Sequence, residues 1–226
     1  MTRDEVRARI CGFGIVPAIR VTTADDALFA ADAVLHGGIP IVEVTMTLPG
    51  ALDVVTELLR TQPGLAVGAG TVLDAGTAER CVEAGVHFLT SPGLQMPLME
   101  VAARSNTMVM PGALTPTEIC AARAAGADFV KVFPCSAVGG PAYIRSVRGP
   151  FPDIPLLAAG GVNQHTAADY VLAGAAALGI GVELIPRTAI QDRNREWIHE
   201  LCHRFLTILR TSRARTVQSN HHAVAG

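Results

Sequence analysis

Eight short β-prone runs alternate with alanine-rich amphipathic stretches along the 226 residues. Polar residues recur at the ends of those runs, and no Gly-x-Gly-x-x-Gly opens a first helix. Together these features predict a single compact (β/α)8 TIM barrel; an open doubly wound sheet is the alternative that fits eight repeats less well.

The first strand is expected from Ile15 to Val21. Thr23-Ala24-Asp25-Asp26 reads as a cap for a helix from Ala24 to His36, which Gly37-Gly38 ends. Ile41-Val42-Glu43-Val44-Thr45 is the second strand and Ala51 to Arg60 its helix. Ala66-Val67-Gly68 runs into Ala69-Gly70-Thr71, before a helix from Ala75 to Ala84 and the strand His87 to Thr90. A helix from Met96 to Ala103 leads to strand Thr107 to Met110, closed by Pro111-Gly112. Thr115-Pro116-Thr117-Glu118 has the form of a capping box with proline at the first helical position. That helix ends at Ala125-Gly126, and the run Asp128 to Pro134 comes next. Ala142 to Val147 is a short helix, Leu156 to Ala159 a strand ended by Gly160-Gly161, and Thr166 to Ala173 a helix. Ala177 to Ile180 is the last strand, and a helix from Arg193 to Leu209 carries Trp197, Leu201 and Phe205 at helical spacing. Residues 1–210 are thus expected to form the barrel, and the polar stretch 211–226 a flexible tail.

Composition narrows the function classes. A net charge of −2 gives no general case for nucleic acid or an anionic membrane. No apolar run approaches the roughly 20 residues of a membrane span. The stretch Met1 to Glu5 lacks the apolar segment of a secretory signal, which points to the cytoplasm. Cys11, Cys81, Cys120, Cys135 and Cys202 are odd in number and without Cys-x-x-Cys spacing, so neither a disulfide framework nor a zinc site is expected. The pair His221-His222 is too small to imply a metal.

Lys131 is the only lysine beside 17 arginines. In a strand, alternation sets it on one face with Phe129 and Phe133. Partial loss of water there favours the neutral amine, a nucleophile toward carbonyl carbon. The bland alternative is a lysine that snorkels from a strand end or pairs with an acid. Glu43 repeats the pattern as an acid inside an apolar strand. Arg20, Glu43, Thr71, Thr90-Ser91 and Lys131 all fall at carboxyl ends of strands, where barrels of this kind do chemistry. They form either a structural ion network or a Schiff-base site with an acid/base and a carboxylate anchor. A lysine held near Arg20 is pushed toward neutrality, whereas one pairing with Glu43 stays charged and inert. Gly160-Gly161-Val162 and Gly179-Ile180-Gly181 lie where backbone N–H groups bind phosphate in such barrels, although Val182 offers no hydroxyl and Glu183 is an anion.

Several motifs in order resemble one family. They are Ile41-Val42-Glu43-Val44-Thr45, Gly68-Ala69-Gly70-Thr71-Val72, Ser91-Pro92-Gly93, Pro111 to Glu118, Phe129 to Pro134 and Gly160-Gly161-Val162-Asn163. From about Gly12 to Leu209 the chain is similar to the 2-keto-3-deoxy-6-phosphogluconate and 4-hydroxy-2-oxoglutarate aldolases. The resemblance implies a trimeric class I aldolase that needs no metal or other cofactor and works on small molecules. It makes Lys131 the Schiff-base lysine and Glu43 the general acid/base. Arg20 and Thr71 become the groups at the pyruvate carboxylate. Pro92, Phe133, Gly160, Gly161 and Gly181 complete the substrate-binding set. Many relatives have arginine where Thr47 stands, and others carry it at the end of strand one, as Arg20 does. The family's phosphate-binding serine aligns with Val182, so a non-phosphorylated hydroxy-oxo acid is also expected to fit. The rival readings are a phosphate-binding isomerase or synthase with Glu43 as base, and a non-catalytic binder of oxo acids or sugar phosphates.

Overall fold

The computed structural model describes residues 1–224, with side chains as far as Arg215, so those of His221 and His222 lie outside it. Nine strands form one parallel sheet: β1 (Ile15–Ile19), β2 (Ile41–Thr45), β3 (Ala66–Gly70), β4 (Phe88–Thr90), β5 (Met108–Met110), β6 (Gly112–Ala113), β7 (Val130–Val132), β8 (Leu156–Ala159) and β9 (Ala177–Ile180). Their order is β5-β4-β3-β2-β1-β9-β8-β7-β6. Only Pro111 separates β5 from β6, so the two ends of the sheet are one stave and the ring closes as a (β/α)8 barrel.

Proline explains why that stave is split. It has no N–H to give to a ladder. Below it β5 pairs with β4, and above it β6 pairs with β7. The seam is bridged by Asp128 N–H donating to Val109 O at 3.0 Å and Lys131 N–H to Pro111 O at 2.9 Å. At its base the Asp128 carboxylate accepts from Val109 N at 2.9 Å and from Arg3 Nε at 2.9 Å.

The helices between the strands are α2 (Ala24–His36), α3 (Ala51–Thr61), α4 (Ala75–Glu83), α5 (Met96–Ser105), α6 (Pro116–Ala124), α7 (Pro141–Arg148) and α8 (Ala167–Leu172). The expected caps form: Thr23 accepts from Asp26 N–H, and Thr115 with Glu118 makes a reciprocal capping box. Helix α3 shows how each helix is held. Val54, Val55 and Leu58 are buried on one face, each contributing about 1.5–3 kcal/mol relative to exposure.

Three helical segments depart from the sequence reading. Helix α1 (Arg3–Phe13) begins at a capping box of Thr2 and Glu5 and buries only Val6 and Ile10, so its apolar stripe is thin. The short α9 (Arg187–Gln191) comes directly after Pro186. Helix α10 (Arg195–Val224) continues past the expected end at Leu209. Arg213 pins it by donating to Gly12 O at 2.7 Å and Ala176 O at 3.0 Å. Among the described residues no helix is long and apolar enough to cross a membrane.

Candidate active site

Alternation along two strands and the closure of the barrel bring Lys131 and Glu43 together. Glu43 sits mid-β2, in register with Ala18 of β1 and Gly68 of β3. Lys131 sits mid-β7, in register with Gly112 and Leu157. Across the mouth, Lys131 Nζ lies 3.5 Å from Glu43 Oε1, their side chains being 12% and 4% exposed. The ammonium also lies 3.4 Å from Thr90 Oγ1, to which it donates. Phe133 covers it, with the ring centroid 5.8 Å from Nζ. Phe129, two residues before Lys131, is fully buried in the core.

Of the two partners considered from sequence, Glu43 is therefore the one beside the lysine. At 3.5 Å the contact is looser than the 2.7–2.9 Å or so of a strong charge-assisted hydrogen bond. It is still short enough to hand a proton across after a small side-chain rotation. Pairing with Glu43 is the arrangement that the sequence reading associates with a charged, inert amine, so a nucleophilic Lys131 requires Glu43 to take its proton.

Gly70 makes room for this arrangement. A Cβ built there would lie 2.1 Å from Glu43 Oε1 and 2.4 Å from its Cδ. Gly70→Ala is expected to push the carboxylate out of line with Lys131, lowering kcat roughly 100-fold and destabilising the fold by about 1–3 kcal/mol. Paired turnover and thermal-melting measurements check this, and an alanine variant with unchanged kcat would show that the position of Glu43 is not critical.

The remaining sequence candidates divide into two groups. Arg20, Phe133, Gly160, Gly161 and Gly181 line the same cleft as Lys131 and Glu43, a space of about 270 Å³. Arg20 is exposed at the end of β1 and makes no ion pair with a described residue. It also borders a neighbouring groove of about 410 Å³ that includes Thr47 and Arg187. Gly160 and Gly161 have φ of +82° and +86°, and a Cβ on Gly161 would meet Ser136 Oγ at 2.2 Å. Thr71 and Pro92 stand outside that lining. Thr71 comes just after β3 with φ of +58°, where a β-branched residue stores on the order of 1–3 kcal/mol of strain. Pro92 lies in the loop after β4, its carbonyl oxygen 2.1 Å from where a Cβ of Gly112 would be.

Two groups gain a part they lacked in the sequence reading. Thr90 is visible in the sequence as a polar strand-end residue, but only the closed ring aims its hydroxyl at Lys131. Ser136, in the turn after β7, brings a hydroxyl over Gly161. Cys135 is buried, and burial pushes its thiol pKa up, in keeping with a packing role. Among the described residues no group of three or more His, Cys, Asp or Glu is placed to hold a metal ion.

Comparison with known proteins points to one family. Residues 6–201 match the family model described as KDPG and KHG aldolase. The 2-dehydro-3-deoxy-phosphogluconate aldolase of Pseudomonas aeruginosa is 34% identical over 183 residues, covering 81% of this chain and 82% of that protein. The KHG/KDPG aldolase of Escherichia coli K12 is 30% identical over 187 residues, with 83% and 88% covered. Among solved structures, KDPG aldolase from Legionella pneumophila, with pyruvate captured as a covalent carbinolamine intermediate, superposes with a TM-score of 0.81. It is 32% identical, with 87% of this chain and 95% of that one covered.

Proposed function

The chain belongs to the KDPG and KHG aldolase family, and from that premise we propose that it is a class I lyase in which Lys131 carries the substrate as an imine. The reaction is the reversible cleavage of a 4-hydroxy-2-oxo acid to pyruvate and an aldehyde. The observation that carries this reading is the single lysine, set in a cleft 3.5 Å from a buried carboxylate. The covalent carbinolamine captured in the Legionella relative supports the same route.

Glu43 first takes the proton from Lys131, and the free amine attacks C2 of the substrate. The carbinolamine that forms loses water, with Glu43 returning a proton to the departing hydroxyl, and leaves an iminium. Glu43 then accepts the C4 hydroxyl proton. The C3–C4 bond breaks, its electron pair moves into the iminium to give an enamine, and the aldehyde departs. Protonation at C3 and addition of water release pyruvate and regenerate the amine. Arg20, the exposed cation of the same cleft, pairs with the substrate carboxylate and turns C2 toward Lys131. Thr71, at the end of β3, is the residue to which the family resemblance gives a hydroxyl contact with that carboxylate, although it stands outside the lining of the cleft. Thr90 keeps the lysine directed across the mouth.

The test is borohydride trapping in the presence of pyruvate, with peptide mapping of the product. It is run on protein whose mass in solution has been measured by light scattering against the homotrimer that the family resemblance implies. One side-chain adduct is expected, on Lys131. Pyruvate release from a hydroxy-oxo acid with no trapped adduct would favour Glu43 acting as base on a non-covalent substrate. Pyruvate-dependent thermal stabilisation with neither release nor exchange of the pyruvate methyl protons would indicate a binder.

A further inference from the structure

Thr45, Thr90 and Ser91 are fully buried at or just past the ends of β2 and β4. Two of these hydroxyls are bound by the scaffold. Thr45 Oγ1 donates to Ile19 O at 3.1 Å and lies 3.1 Å from Thr47 Oγ1, and Ser91 Oγ donates to Gly93 O at 2.7 Å. Thr90 differs. Among the described residues its hydroxyl has one hydrogen-bond partner, Lys131 Nζ at 3.4 Å. Its main chain is held as well: Thr90 O accepts from Val72 N–H at 3.1 Å, and the residue is in register with Met110 of β5. A β-branched side chain has little χ1 freedom, so this oxygen is a fixed point beside the amine.

The nitrogen changes its hydrogens through the reaction, while this oxygen keeps its charge. A free amine has two N–H bonds; the carbinolamine and the iminium have one each. Among the described residues the acceptors within reach of Nζ are Glu43 Oε1 at 3.5 Å and Thr90 Oγ1. As C3–C4 breaks, Glu43 is taking up the C4 hydroxyl proton, and its strength as an acceptor falls. Thr90 is then the acceptor left for the iminium N–H. The substituents of an iminium lie in one plane, so the direction of that N–H sets the plane of C2=N. The C3–C4 electron pair enters the π system only when its bond stands perpendicular to that plane. Resting on the aldolase reading, we infer that Thr90 is a positioning residue for the imine. It accepts the one iminium N–H and holds the C=N plane at the angle that cleavage needs.

Thr90→Val keeps the side-chain shape and removes the hydroxyl, whereas Thr90→Ser keeps the hydroxyl and removes a buried methyl. The measurements are pyruvate release from a 4-hydroxy-2-oxo acid, exchange of pyruvate methyl protons into deuterated water, and thermal melting. The valine variant should melt close to wild type and lose roughly 10–100-fold in kcat, the worth of a hydrogen bond to a charged group. Exchange should fall with it, because removal of a C3 proton needs the same alignment. The serine variant should stay within about threefold of wild type in both. Packing alone predicts the reverse order, since valine fills the site and serine leaves a gap. Exchange by the valine variant within about threefold of wild type overturns the inference, whatever its kcat. A serine variant as impaired as valine overturns it too. If valine does not fold, Thr90→Ala is compared with Thr90→Ser: alanine should be at least about tenfold slower, and equal rates overturn the inference. A wild-type protein that forms the Lys131 adduct and turns over, beside a fully active valine variant, defeats the inference alone. A wild-type protein with neither adduct nor turnover defeats the aldolase reading and the inference with it.

Discussion

Lys131→Met should leave a protein with no borohydride-trappable pyruvate adduct and a kcat for pyruvate release at least about 10⁴-fold below wild type. Methionine keeps the length and shape of the stem and removes only the nucleophile. The same substitution strips a buried carboxylate of its cation, so some loss of stability is expected alongside the loss of chemistry. Two further variants separate those effects. Lys131→Arg keeps a positive charge near Glu43 but offers a guanidinium that does not form an imine. Lys131→Met/Glu43→Gln removes both charges at once. Both should fold, shown by a cooperative melt, and both should be inactive. Retention of more than a few per cent of wild-type turnover in any of the three would rule out the covalent route.

Glu43→Gln should produce a different phenotype. The amide has nearly the same shape and can hydrogen-bond, but it cannot accept and return a proton. General acid–base catalysis is worth about 10²–10⁴-fold, and kcat should fall by an amount in that range. The lysine is still present, so the pyruvate adduct should still be trapped, only more slowly. Exchange of pyruvate methyl protons into deuterated water should drop together with kcat, because the same carboxylate serves both. A variant that exchanges at the wild-type rate would move the base to another group, Thr90 being the other side chain within hydrogen-bond distance of Lys131 among the described residues.

Lys131 and Glu43 can be picked out of the sequence because a charge inside a β-prone apolar run is costly and therefore conspicuous. The strand–helix alternation is legible for a related reason, since each unit carries its own turn and cap residues. What the sequence withholds depends on closure. Pro111 reads as the end of a strand, and only the ring shows that it passes the chain from one neighbour to the other. Thr90 reads as one more polar strand end until the split stave β5–β6 sets β4 and β7 one strand apart. Thr71 gives no local sign of its left-handed backbone. At the termini the obstacle is different. Helix α1 buries two residues and α10 leaves its apolar stripe after Leu209, so hydrophobic periodicity falls silent in both places. Thr2 and Glu5 do carry a capping signature, the one local sign in the sequence that a helix starts there.

The seam beside Pro111 has a mechanical consequence. Lys131, the residue proposed to hold the substrate, is also a rivet of the ring: its own main-chain N–H donates to Pro111 O, and its ladder partners stand on both sides. Its Cα is therefore held from both sides by the ladders. Every displacement that the reaction needs, from proton hand-over to imine to release, has to be made by the torsions of one flexible stem swinging from an anchored pivot. On the proposed imine route the substrate would ride on a short tether anchored in the ladder of the ring.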